Sequence, residues 1–183
     1  MRIISLNAWG GRLHEALIDY VRQSDADVLC LQEVLRAPDP GSGWPIYRDS
    51  GLELPQRANL FAEISAALPG HDGFFCPTSR GTLFDGDAAI VAEFGLATFV
   101  RKSHSVIAQA IDFDSATFKI LARLGLSDLV TGNGLVDTRT SYYLKQGRFA
   151  DYMLVTPEVK IAKFEVVASP EVSDHRALLL DIV

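Results

Sequence analysis

Short apolar runs bordered by polar residues constrain the fold of this sequence more than any other feature. The run at residues 2–6 is followed by Asn7, and the run at residues 28–31 is followed by a glutamine and then Glu33. Apolar runs of this length, broken by polar and turn-forming residues, are typical of buried strands. We therefore expect Asn7 and Glu33 to lie at or near the ends of two strands.

A third apolar run, at residues 178–183, follows an Asp-His pair formed by Asp174 and His175. An aspartate can bind a hard cation through oxygen, and a histidine can donate a hydrogen bond or a proton to a phosphoryl oxygen. The pair therefore suits metal-assisted attack on a phosphate. It is also compatible with a cap on a strand or helix that leaves the imidazole in solvent.

Asn7 and Glu33 have ordinary structural interpretations as well. Asn7 can close the following turn through an Asx hydrogen bond, and Glu33 can be a surface carboxylate. Taken one at a time, neither residue indicates a site.

Apolar periodicity predicts alternating strands and helices. One helix is expected after Asn7, with its apolar positions between residues 13 and 21, and a second over residues 58–68. The remaining strands are predicted around two turns, at residues 78–81 and 85–87. The strand predictions are residues 74–77, 88–91, 94–100 and 135–138.

The composition is that of one globular domain over residues 1–183, with 48% hydrophobic residues. No apolar run reaches the roughly 18 residues of a membrane span, and no secretory signal pattern is present, so we expect a cytoplasmic protein without a membrane partner. Cys30 and Cys76 are expected to be reduced thiols. The net charge of −6 argues against nonspecific duplex binding. A small phosphorylated molecule or a nucleic-acid end fits this charge better.

Four segments, taken together and in order, resemble the signatures of the endonuclease/exonuclease/phosphatase superfamily. They are Ser-Leu-Asn-Ala-Trp at residues 5–9, Leu-Gln-Glu-Val at 31–34, Gly-Arg-Phe-Ala-Asp-Tyr at 147–152 and Ser-Asp-His-Arg-Ala at 173–177. The resemblance implies a four-layer α/β sandwich, with two mostly antiparallel sheets packed face to face and helices outside.

The same resemblance implies a role for each motif residue. Glu33 is similar to the main ligand for Mg²⁺ or Mn²⁺, which suits a hard carboxylate oxygen. Asn7 resembles the amide that completes the metal and phosphate environment, and Asp174 a second acidic group near the metal. His175 is similar to the histidine that contacts the phosphate, and Asp151 to the carboxylate that fixes its tautomer.

One family signature is altered. The nearest match to the Gly-Asp-Phe-Asn motif is Ile-Asp-Phe-Asp at residues 111–114, where Asp112 matches the catalytic Asp and would face the site. Asp114 replaces the family's Asn and is expected to turn away, next to Ser115 as a helix N-cap. The chain is also short for the family, with a suspected internal deletion near residues 107–114.

These observations lead to two hypotheses. The first is a divalent-metal-dependent phosphoester hydrolase acting on a phosphodiester or phosphomonoester, with Mg²⁺ or Mn²⁺ as cofactor. The alternative is a shortened, non-catalytic relative that keeps the scaffold as a binding or structural module. The altered motif around Asp112 discriminates between them, and the sequence gives no indication of the oligomeric state.

Overall fold

A computed structural model describes residues 1–38, 41–106 and 125–183 of the chain. The suspected deletion near residues 107–114 lies outside these residues. A single 3-10 turn (Trp9–Gly11) follows the first strand. The strands and helices are, in chain order, β1 (Arg2–Asn7), α1 (His14–Gln23), β2 (Val28–Arg36), β3 (Ile46–Asp49), β4 (Leu52–Pro55), α2 (Leu60–Ala67), β5 (His71–Asp85), β6 (Ala88–Arg101), β7 (Ser127–Asp128), α3 (Leu129–Gly132), β8 (Leu154–Val155), β9 (Ile161–Val166) and β10 (Leu178–Ile182).

Eight of the strands form one large sheet in the order β4-β3-β5-β6-β2-β1-β10-β9, and β7 and β8 pair separately. Neighbouring strands in the large sheet are antiparallel, except for the central pair β1 and β2, which is parallel. The parallel pair is possible because α1 forms the crossover between the two strands. Both strands therefore reach the same edge of the sheet at their carboxyl ends.

Both predicted helices are present. In α1, Leu17, Ile18 and Val21 are buried on one face, and in α2 Leu60 and Ile64 are buried one turn apart. Apolar residues at this spacing form a stripe that packs against a sheet. The helices therefore pack against the sheet as the periodicity predicted.

The large sheet buries apolar side chains on both of its faces. Ile4 and Leu6 of β1 pack in the cluster that contains the helix residues, whereas Ile3 packs with Leu178 and Leu180 against α3 and β8. This division follows from the alternation of side chains along a strand. The described residues thus form a mixed α/β fold, with a large sheet and a second, two-stranded sheet.

The long hairpin of β5 and β6 corrects one sequence prediction. Residues 78–81 were predicted to form a turn, but β5 continues through them, with a register shift between Pro77 and Ser79. Proline has no N–H to donate, so a bulge is where a strand accommodates it. The opposite residue is Gly95, where a Cβ would lie 2.1 Å from the carbonyl oxygen of Cys76. The turn predicted at residues 85–87 does separate the two strands.

The segment at residues 135–138 was predicted as a strand and is not one. The turn before it is present, with Gly134 at a φ of +71°, but the segment forms no strand ladder. Instead, the backbone N–H of Thr138 donates to the carbonyl of Arg148, and its carbonyl accepts from the N–H of Arg176. The two cysteines form no disulfide, as expected. Within the described ranges, every helix is too short or too polar to span a bilayer.

Candidate active site

Asn7 is the last residue of β1 and makes two side-chain hydrogen bonds. Its Oδ1 accepts from the backbone N–H of Trp9 at 2.8 Å, and its Nδ2 donates to Oε1 of Glu33 at 2.8 Å. The Asx bond and the contact with Glu33 therefore exist together. The residue is 9% exposed, so this amide is fixed in direction by both partners.

Glu33 lies at an irregularity of β2. The pairing of β2 with β6 shifts register between Leu31 and Val34, and Glu33 has a φ of +52°. In a regular strand, alternation would place Glu33 on the face opposite to Gln32. A bulge re-aims a side chain at the cost of local backbone strain. Here it leaves the Glu33 carboxylate exposed beside Asn7.

His175 and Asp151 lie within hydrogen-bond distance, although 24 residues separate them. Nδ1 of His175 is 2.9 Å and 3.0 Å from the two carboxylate oxygens of Asp151. His175 is only 8% exposed. A carboxylate at Nδ1 places the ring proton on that nitrogen and turns Nε2 away from Asp151.

Arg139 is the site residue that the sequence analysis missed. Its Nη1 donates to Oδ2 of Asp174 at 3.2 Å and also contacts Nε2 of His175. Asp174 is 9% exposed, so the guanidinium compensates a largely buried carboxylate. No family motif marks Arg139. The only signal in the sequence is its place between two threonines, Thr138 and Thr140, which are both buried.

Strand register brings these groups to one edge of the large sheet. Ser5 of β1 pairs with Leu178 of β10, so Asn7 and His175 extend from the same end of this antiparallel pair. Asn7 pairs with Gln32 of the parallel strand β2, which places Glu33 at this end too. The structure thus gathers Asn7, Glu33, Asp151, Asp174 and His175 around one edge.

A cavity of about 720 Å³ adjoins Asn7 and Glu33. Its wall is largely apolar and contains Tyr47 and Phe94, and Arg80 is its basic residue. Trp44 is not among the lining residues. It packs instead on the guanidinium of Arg57, whose carbon is 5.1 Å from the ring centre.

The oxygen ligands at this edge suit a hard divalent cation bound at Glu33. Magnesium is commonly held by one or two carboxylates, with water and phosphate oxygens completing its shell. Across residues 1–38, 41–106 and 125–183, Glu33 forms no ion pair with a basic side chain, so its negative charge is uncompensated there.

Asp174 fits a cation less well in this arrangement, because Arg139 already neutralises it. In the same described ranges, no three His, Cys, Asp or Glu residues form a group that could hold a metal ion. The predicted positions of Asp112 and Asp114 lie outside the described residues.

Comparison with solved structures places this fold among known ones. An endonuclease/exonuclease/phosphatase from Beutenbergia cavernae matches with a TM-score of 0.63 at 13% identity, over 100% of this chain and 71% of its own. A mannosyl-6-phosphatase from Bacteroides thetaiotaomicron matches with a TM-score of 0.60 at 11% identity, over 100% and 99%. A family protein from Leptotrichia buccalis matches with a TM-score of 0.56 at 14% identity, over 100% and 99%.

These matches show that the fold is similar to that of solved endonuclease/exonuclease/phosphatase structures, in agreement with the resemblance of the sequence motifs. The four-layer sandwich stays a prediction. No family model matches the sequence, and no curated protein matches it. The likeness is therefore one of fold, and the chemistry depends on the residues at the sheet edge.

Proposed function

We propose that this protein is a divalent-metal-dependent phosphoester hydrolase that uses Mg²⁺ or Mn²⁺. The observation that carries the proposal is the convergence of Asn7, Glu33 and the Asp151–His175 pair at one edge of a sheet with this fold. The complete four-layer sandwich, with a full second sheet, belongs to the same proposal.

Each residue has a task that its geometry supports. Glu33 would hold the cation, which when bound polarises the phosphate and neutralises its charge. Asn7 would keep the Glu33 carboxylate in place, because its amide is itself fixed by the Trp9 backbone.

Asp151 would hold the His175 ring so that Nε2 faces the phosphoryl oxygen on which negative charge develops. Asp174 would join the metal environment after leaving Arg139. The activation of the attacking water is assigned to Asp112 on the family resemblance alone.

The second candidate is a non-catalytic module, and one observation favours it. Arg139 neutralises Asp174 and lies against Nε2 of His175, so in this arrangement both groups are engaged within the protein. A chain with the altered motif at residues 111–114, and with Asp174 and His175 both occupied by Arg139, would keep the scaffold without hydrolysing a substrate.

Hydrolysis assays separate the two candidates. The purified chain is incubated with Mg²⁺ or Mn²⁺ and an aryl phosphodiester, abasic-site DNA, single-stranded DNA, RNA, or mannose 6-phosphate, the last because a structural neighbour is a mannosyl-6-phosphatase. We expect phosphate or product release that stops with EDTA and returns with excess Mg²⁺. His175→Ala should be inactive while retaining the wild-type circular dichroism spectrum.

A control variant tests whether the activity comes from this site. His104→Ala changes a histidine that pairs with Asp27 elsewhere on the protein, so it should hydrolyse substrate at the wild-type rate. Hydrolysis at the same rate with and without EDTA, or at the same rate in His175→Ala and the wild type, would reject the proposed function. No hydrolysis of any substrate in the panel would favour the non-catalytic module.

A further inference from the structure

Arg139 is held in an unusual environment for a surface-loop arginine. Its side chain is 13% exposed, and its guanidinium lies on the ring of Tyr143, with the carbon 4.1 Å from the ring centre. Its backbone forms an isolated bridge with His175. The side chain is therefore fixed from two sides, by the aromatic ring and by the Asp174–His175 segment.

The neighbouring threonines fix the backbone that carries Arg139. Thr140 donates from its hydroxyl to the carbonyl of Ser173 at 2.6 Å, and the Thr138 hydroxyl accepts from the backbone N–H of Asp151 at 3.2 Å. Both threonines are essentially inaccessible to solvent. The position of Arg139 relative to His175 is thus determined by buried hydrogen bonds rather than by a loose loop.

The hydrogen-bonding capacity of Arg139 is only partly used within the described residues. Nη1 makes the contacts with Asp174 and His175, whereas Nε is buried and has no hydrogen-bond partner there. A buried donor without a partner is destabilising, because it has lost its hydrogen bond to water. A buried guanidinium with an unused N–H is a site that can accept an oxyanion, since arginine binds phosphate through two parallel N–H bonds.

The location of this group indicates which oxyanion it would bind. Nε2 is the ring nitrogen of His175 that Asp151 leaves available, and Arg139 lies directly against it. An anion that reached Nε2 would therefore also meet the guanidinium. The guanidinium N–H groups, beside the Nε2 edge of the His175 ring, provide the charged donors for a tetrahedral oxyanion such as a phosphate group.

We propose that Arg139 binds the phosphate group of the substrate, and that its contacts with Asp174 and with Nε2 of His175 are the ligand-free arrangement that the phosphate replaces. This inference rests on the proposed function, because it names the residue that holds the phosphate in that site. Moving Arg139 onto the ligand also releases the Asp174 carboxylate.

Binding of inorganic phosphate without metal tests the inference independently of catalysis. Isothermal titration calorimetry in chloride buffer with EDTA should show phosphate binding to the wild type and at least a tenfold loss of affinity in Arg139→Gln. Arg139→Lys keeps the charge but loses the planar guanidinium that makes two parallel hydrogen bonds, so it should bind phosphate with intermediate affinity. Arg22→Gln is the matched control, because Arg22 lies on α1 and pairs with Asp19 outside the site, and its affinity should equal that of the wild type.

The outcomes separate this inference from the proposed function. Phosphate binding that depends on Arg139, in a protein that hydrolyses nothing, would support the inference and reject the hydrolase. Hydrolysis with an unchanged kcat/KM in Arg139→Gln would reject the inference and keep the hydrolase. If Arg139→Gln fails to fold, as judged by thermal unfolding, equal phosphate affinity in Arg139→Lys and the wild type would overturn the role of the guanidinium.

Discussion

Replacement of Glu33 by glutamine should weaken metal binding with little effect on the fold. Gln keeps an oxygen that can accept the 2.8 Å hydrogen bond from Asn7, while the negative charge is lost. Two unit charges about 4 Å apart interact by roughly 1 kcal/mol in water, and a divalent cation doubles this to roughly 2 kcal/mol. Because Glu33 is exposed, we take this aqueous value. It corresponds to about a thirtyfold rise in the dissociation constant.

The assay is calorimetric titration with Mn²⁺, and Glu93→Gln is its matched control. Glu93 accepts hydrogen bonds from Arg36 and Arg80, and these bonds, first the one from Arg36, lower the pKa of its carboxyl group. Its charge is therefore already compensated, and Glu93→Gln should bind Mn²⁺ like the wild type. Equal affinity in Glu33→Gln and the wild type would remove Glu33 from the metal site.

Two further predictions concern catalysis and acid stability. Asp151→Asn should lower kcat by about a hundredfold with little change in KM, because the ring of His175 loses its charged partner; Asp19→Asn, on the exposed side of α1, should keep wild-type kinetics. Hydrogen bonds from the Arg2 backbone and the Arg101 guanidinium hold the pKa of Asp27 below its usual value. The stability from Asp27 is therefore present above about pH 4 and lost as the pH falls through its lowered pKa. At pH 7, Asp27→Asn should lower the free energy of unfolding by about 1–2 kcal/mol. In urea unfolding, the free energy of unfolding of the variant should also fall less than that of the wild type as the pH is lowered. An equal fall in the two proteins would refute this.

The sequence predicted that Asn7 and Glu33 lie at strand ends, because a strand end is visible where an apolar run gives way to polar residues. It did not predict how Glu33 is aimed, since the bulge in β2 depends on pairing with a strand some sixty residues further along the chain. Arg139 was missed for a similar reason: its partner Asp174 is 35 residues away, and no local pattern marks the contact. The turn predicted at residues 78–81 failed because pairing with β6 outweighs local turn composition.

The charges at the sheet edge suggest how the two proposals are linked. Glu33 is an uncompensated carboxylate in the described part of the chain, whereas Arg139 is a cation whose charge is satisfied by Asp174. A metal ion at Glu33 attracts the phosphate that Arg139 would bind, and the Asp174 carboxylate that Arg139 releases is attracted to the metal. The metal ion should therefore raise the affinity for phosphate, and phosphate should raise the affinity for the metal ion by the same factor. Phosphate affinity measured with and without Mg²⁺ should rise with the metal in the wild type and change much less in Glu33→Gln; an equal rise in both proteins would show that phosphate and metal meet somewhere other than this edge.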